Sequence, residues 1–284
     1  MTAPSGDASG IHTKTLKDPN KPVPPTFSDI LEHRAFLKFR LAQAYRIFGE
    51  LYGYDEGVAG HITVRDPIRP DCYWVNPLGV HFKLIQPELL LLVDHEGNIQ
   101  EKESGPYRLL NRSAYLIHSA IHEARPDVIC AAHSHTTYAK AFGSLGVPLD
   151  PITQDSCAFY EDHVLFSEFH GIVDDREEGL AIAAALGSKK AAILQNHGAL
   201  VAAKSIESTI FFFISLEKCC KVQMIADQAA AARGLTPRLI DHASAVKTWQ
   251  LLGSELDGWF NGVPEFQLLE HEEGKKFEYT PAHK

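Results

Sequence analysis

The stretch AAILQNHGALVAA, residues 191–203, limits the chain's fold more than any other, because two very apolar runs meet there at Asn196-His197-Gly198. Short apolar runs bounded by a turn signal read as strands. Asn196 and Gly198 are residue types that tolerate a left-handed turn backbone. The spacing therefore predicts a hairpin with His197 at its tip. VICAAH (128–133) reads as a further buried strand, and HITVRD, CYWVNP and LLLLVDHEGNI as shorter β-type runs. Helical patterns fill the intervals. Phe36, Phe39, Leu41, Tyr45 and Phe48 mark an amphipathic helix closing near Gly53. Ala114, Ile117, Ile121 and Ala124 share one face of a second helix, which Pro126 stops after Arg125. TYAKAFGSLG gives a third helix, and residues 206–232 a long fourth. Short strands between helices, with no internal repeat, make an α/β protein.

The 284 residues suffice for a sizeable core. Residues 1–28 hold little to bury and read as a disordered tail, 29–235 as the folded domain. Residues 236–284 form an extension whose Trp249, Trp259 and Phe260 are expected to pack on the domain or on a neighbouring subunit. A formal charge of −9 without a basic stripe argues against nucleic acid and anionic membrane as partners. The most apolar run, IFFFISL (210–216), is too short to span a bilayer, and MTAPSGDASG lacks the apolar stretch of a secretory signal. The five cysteines are odd in number and show no paired spacing, as expected of reduced thiols. The expectation is a soluble cytoplasmic protein.

The strand VICAAH ends in His133, and His135 follows one residue later. Residues i and i+2 of a strand project from one face, so both imidazoles can address one point while Ser134 points away. The alternative is a pair of histidines at a solvated strand end. His197 favours the first reading, because an imidazole at the tip of an apolar hairpin needs polar company, and a shared cation supplies it. Three neutral imidazoles leave a coordination position open, which is the catalytic arrangement.

ARPDVICAAHSHTTYAKAF (124–142), ILQNHGAL (193–200), AGHITVRDP (59–67) and YWVNPLGVHF (73–82) together resemble four ordered motifs of the class II aldolase and adducin family. The resemblance runs from about residue 37 to 232. It implies a three-layer fold with a central, mostly antiparallel sheet between helix layers. It also implies a divalent metal held by His133, His135 and His197, zinc first, with Fe(II) or manganese as the alternatives. His61, Asn76, Gly79, Arg112 and Ser113 match positions around the family's substrate pocket. That pocket commonly lies at a subunit interface, so a homo-oligomer, a tetramer, is expected. Sugar-phosphate aldolases of the family carry a glutamate, ligand and base, where this chain has Ala114. Their neutral phosphate cradle matches Arg112, Ser113, His61 and Leu78, so most of it is gone. The glycine motifs and the helix at 111–127 look more like the adducin branch, as a stand-alone head-like domain. Arg112 could instead clamp a carboxylate through its guanidinium fork, the plainer reading being a solvated arginine at the helix start.

His118 and His122 lie one helical turn apart, but Ser119 stands where a zincin needs glutamate. They are expected on the helix surface or behind a site. In DPITQDSCAFYEDHVLF (150–166), Tyr160 is a candidate general acid acting across a subunit interface, with His163 or Asp155 as its partner. The plainer reading is a polar surface loop anchored by Phe159 and Phe166. The function expected is metal-dependent cleavage of a C–C bond next to a carbonyl, by decarboxylation or retro-aldol chemistry, in a small carboxylate-bearing metabolite. The alternatives are an Fe(II)-dependent oxygenase of secondary metabolism and a non-catalytic adducin-like interaction domain.

Overall fold

The computed structural model describes residues 22–169, 171 and 176–274. Most of the expected disordered tail, residues 1–21, lies outside the described residues, as do 275–284 of the extension. The chain opens with helix α1 (Ile30–Arg46), started by the Asp29 carboxylate accepting from the Leu31 amide. A π-helical turn, Ile47–Tyr52, prolongs it to Gly53, whose left-handed backbone (φ 64°) ends the run where the sequence places the stop. Strands β1 (His61–Arg65), β2 (Cys72–Val75) and β3 (Leu91–Asp94) follow. Next come α2 (Arg112–Ala124), β4 (Cys130–Ser134), α3 (Thr137–Gly143), β5 (His163–Phe166) and α4 (Arg176–Leu186). The hairpin β6 (Ala191–Leu194) and β7 (Gly198–Ala203) leads into α5 (Ile206–Ala231), α6 (His242–Leu252) and α7 (Glu255–Glu273).

The seven strands form one sheet in the order β3-β2-β1-β4-β7-β6-β5. Every pairing is antiparallel except β5 with β6. Phe159 and Phe166 are buried, as the surface-loop reading of 150–166 expects, but His163–Phe166 is a strand paired with β6 and not loop.

Alternation along the strands sorts the two faces. Ile62 and Val64 of β1 and Ala132 of β4 pack with Tyr45, Phe48 and Phe213 from α1, the π turn and α5. Ala131 of β4, Leu200 and Ala202 of β7 meet Ile117, Ile121 and Ile182 of α2 and α4. The result is a sheet between two helix layers. Residues 242–273 pack on this same chain. Trp249 donates to the Asp162 carboxylate at 2.8 Å, and Gly262 lets α7 approach α5 so closely that a Cβ would sit 2.3 Å from the Glu207 carbonyl oxygen. No helix among the described residues is long and apolar enough to cross a membrane.

Candidate functional site

The face of β4 that meets α2 carries His133, with His135 just beyond the strand end. Ser134 points to the other face, where its hydroxyl donates to the Tyr54 carbonyl at 2.8 Å. The chain then turns into α3 because Glu217 of α5 accepts from the Thr136 hydroxyl and from the Tyr138 and Ala139 amides, at 2.6, 2.9 and 2.7 Å. That buried carboxylate fixes the backbone directly after His135.

His197 arrives from the β6–β7 turn. Asn196 takes the left-handed conformation there (φ 57°), as its residue type permits. Gly198 serves a different need from the one its turn position suggests. A Cβ on it would lie 2.6 Å from the Ser134 carbonyl oxygen and 3.4 Å from the His133 ring, so glycine is what lets β7 start against the histidine strand.

The three imidazoles converge. Ring centroids stand 5.1 Å (His133–His135), 4.7 Å (His133–His197) and 4.8 Å (His135–His197) apart, and one nitrogen from each lies within 4.8 Å of the others. His133 Nδ1 donates to the Ala199 carbonyl at 2.9 Å, which leaves Nε2 as the lone-pair nitrogen. Burial, then the neighbouring imidazoles, hold His133 well below the usual histidine range. Burial and His135 bring His197 down to about 4. His135 is lowered by burial and by the Lys140 ammonium, against the opposing pull of Glu56. Three nitrogen donors kept neutral at pH 7 are a donor set that suits zinc and iron(II), manganese preferring oxygen donors.

The centre forms part of the wall of a cavity of about 500 Å³. Val58, Ala59, Gly60, Ala114, Ile117 and Phe169 give it a largely apolar lining, with Asn111, Ser113, Asn196 and Lys140 as polar points. Ala114 sits in the first turn of α2, nearly buried, where Asn111 caps the helix by accepting from the Ala114 amide at 3.3 Å.

Of the substrate positions expected from the sequence, Ser113 alone is among these lining residues. His61 is fully buried, directly across the β1–β4 ladder from His133. Neither of its ring nitrogens has a hydrogen-bond partner among the described residues, and burial lowers it to about 3. Asn76 is buried, its side-chain oxygen accepting from the Tyr45 hydroxyl at 2.8 Å. Gly79 is exposed on a loop in a left-handed conformation (φ 84°). Arg112 is exposed at the start of α2, its side chain outside the lining.

The proposed acids also sit elsewhere in this chain. His163 Nδ1 donates to the Phe159 carbonyl at 2.7 Å and Nε2 accepts from the Leu149 amide at 3.0 Å, so both nitrogens are committed to backbone. The Tyr160 hydroxyl bonds His242 Nδ1 at 2.9 Å, and an interface role for it needs a second copy of the chain.

His118 and His122 are not on the helix surface. Both are fully buried against β1, bridged by the Thr63 hydroxyl at 2.8 Å to each. One hydroxyl can donate once, so one imidazole receives the Thr63 proton and the other donates its own. His118 packs edge-on to His61 with ring centroids 4.9 Å apart. The apolar wall, Lys140 and its ion-pair partner Glu56 escaped the sequence reading. The one available signal for Lys140 was its place on the helix that begins two residues after His135.

The sequence pattern of the family described as "Class II Aldolase and Adducin N-terminal domain" matches residues 39–224. A Streptomyces roseochromogenus subsp. oscitans protein named 4-hydroxy-3-prenylphenylpyruvate oxygenase/4-hydroxy-3-prenylbenzoate synthase is 43% identical over 242 residues, covering 85% of this chain and 84% of its own. Decarboxylase NovR of Streptomyces niveus is likewise 43% identical over 242 residues, 85% of this chain and 86% of its own. A solved structure described as L-fuculose 1-phosphate aldolase from Glaciozyma antarctica PI12 superposes with a TM-score of 0.81 at 45% identity, covering 90% of this chain and 97% of that one.

Proposed function

The chain belongs to the class II aldolase and adducin family, and from that premise we propose that it is a divalent-metal-dependent lyase. Its reaction is cleavage of a C–C bond next to a carbonyl in a small carboxylic acid, by decarboxylation or retro-aldol chemistry. The observation that carries this reading is an open three-imidazole centre set in the wall of a largely apolar cavity. His133, His135 and His197 would hold the metal, zinc in the first instance. When bound, it supplies Lewis acidity for the electron pair released from the broken bond.

The chain's own residues shape the rest. Burial keeps the imidazoles neutral and so available as donors. No Asp or Glu is among the described residues lining the cavity, and Ala114 stands where sugar-phosphate aldolases of the family resemble one another in carrying a base. A reaction that needs no initial deprotonation of a hydroxyl suits such a wall, which favours loss of carbon dioxide. Val58, Ile117 and Phe169 offer apolar contact to the body of the substrate, and protonation of the product falls to water entering at the mouth.

The relative described as a fuculose-phosphate aldolase supports a sugar phosphate instead. The lining argues otherwise, because a dianionic phosphate needs several donors and Ser113, Asn111, Asn196 and Lys140 share the wall with a larger number of apolar groups. An Fe(II)-dependent oxygenase is the second reading, favoured by the name of one Streptomyces relative. The test is a screen of 2-oxo, 3-oxo and hydroxy acids with zinc-, manganese- or iron(II)-loaded protein, following carbon dioxide, carbonyl products and oxygen. Chelator-sensitive carbon dioxide or aldehyde release without oxygen uptake is expected. Oxygen consumption with iron alone points to the second reading, and efficient cleavage of L-fuculose 1-phosphate refutes the acid assignment. We further infer a homotetramer in the cytoplasm, a reducing compartment that suits the five free cysteines. Sedimentation at micromolar concentration as a 31.4 kDa monomer contradicts the assembly.

A further inference from the structure

Lys140 is the only lysine or arginine among the described residues that line the cavity. It shares that lining with His133, His135 and His197, and its ammonium pairs with Glu56. The side chain is about one-third exposed (37%) and its ion-pair partner, Glu56, is two-thirds exposed (66%). Glu56 belongs to the loop before β1 and lines the neighbouring polar cavity of about 520 Å³, of which His135 forms the shared wall. Water screens an ion pair this exposed, so little is lost when a second carboxylate competes for the ammonium. Arg112, the cation that the sequence offers for this task, stands outside the lining.

We propose that Lys140 is the specificity-determining residue of the cavity, exchanging Glu56 for a carboxylate that the substrate keeps through the reaction. The inference rests on the lyase reading given above. The retained carboxylate follows from charge. Cleavage that expels carbon dioxide draws electrons out of a carboxylate, and an ammonium bound to that group opposes the flow. A carboxylate on Lys140 is therefore one that survives into product. The bond that breaks lies elsewhere in the acid, either at a second carboxyl group or on the far side of the carbonyl. Glu56 acts as the resting counter-charge, keeping the ammonium from being an unpaired cation beside three imidazoles.

Phenylpyruvate serves as the probe, an acid with a carbonyl and an aromatic body that fits the apolar wall. Its affinity is measured by calorimetry on zinc-loaded wild type, Lys140→Met, Lys140→Arg and Glu56→Gln, with zinc content determined for each. A charge-assisted contact of this type sets the expected loss at about tenfold or more in Lys140→Met. Lys140→Arg should recover most of it, and Glu56→Gln should bind the acid severalfold more tightly because the competing carboxylate is gone. Zinc content should be equal in all four proteins. Equal affinity across all four, the pattern of a carboxylate held by the metal alone, overturns the proposal and leaves the lyase reading standing. Failure of wild type to bind the probe in both zinc-loaded and zinc-stripped forms overturns this inference, while the lyase reading stands or falls on the screen of acids.

Discussion

Replacing His133 by alanine is expected to reduce bound divalent metal from one per chain to less than about a tenth of that after chelator-free purification. His135→Ala and His197→Ala should behave in the same way. The three nitrogens meet within 4.8 Å of one another and derive from two separately fixed pieces of backbone, the end of β4 and the β6–β7 turn. No described fourth side chain stands ready to replace a lost one, since Ala114 faces the same cavity. Disturbing even the groups that orient a ligand lowers metal affinity about 10–100-fold, so loss of a ligand should exceed that. Stability should suffer less than metal content. His133→Ala leaves the Ala199 carbonyl without its 2.9 Å donor, a cost of about 1–3 kcal/mol that a folded domain of this size tolerates. His61→Ala is the control, because His61 lies across the ladder from His133 yet outside the cavity lining. Elemental analysis of the four variants decides the matter. Full metal in His197→Ala, or loss of it in His61→Ala, removes the assignment.

The convergence of His133, His135 and His197 was legible in the sequence because its geometry is local. A strand fixes i and i+2 on one face, and a tight turn between two apolar strands fixes the third imidazole. The sheet was legible for the same reason, through runs that have no other place than a core. The substrate wall was not, because it depends on register and on partners far away in the chain. His61 follows a glycine beside the pocket, but its pairing with His133 turns its ring into the layer between sheet and α2. Asn76 is taken up by Tyr45, thirty-one positions earlier, a partnership that no motif announces. Arg112 and Ser113 are neighbours on the first turn of α2, where adjacent residues diverge by about 100°, and Ser113 received the inward direction. The strand at His163–Phe166 was hidden by Glu161, Asp162 and His163, polar residues at its start. Asp162 turns out to hold Lys190 and Trp249 there.

The stability of this protein should fall steeply between pH 6.5 and 5, through histidines that never touch the cavity. His61 and His122 are fully buried, and desolvation lowers each to about 3, with Arg65 adding to the effect at His122. His118 is lowered well below its ordinary range by burial first and by His61, His133 and His122 after it. These groups are neutral in the folded chain and take up protons near pH 6.5 when it unfolds. Their contribution is therefore complete above pH 6.5 and is lost progressively as the pH falls toward about 3. At pH 5 His61 and His122 together should have cost about 4 kcal/mol, with His118 acting in the same direction, against a total stability of roughly 5–15 kcal/mol. The loss should persist in metal-loaded protein, because none of the three is a ligand. His61→Leu provides the decisive comparison. It removes two ring nitrogens that have no partner among the described residues, while the Thr63 bridge keeps both of its own. Urea midpoints at pH 7, 6 and 5 should show the variant at least as stable as wild type at pH 7 and about 2 kcal/mol ahead at pH 5. Parallel pH dependence in the two proteins means that His61 takes up its proton equally in the folded and unfolded chains, and its buried neutrality is then refuted.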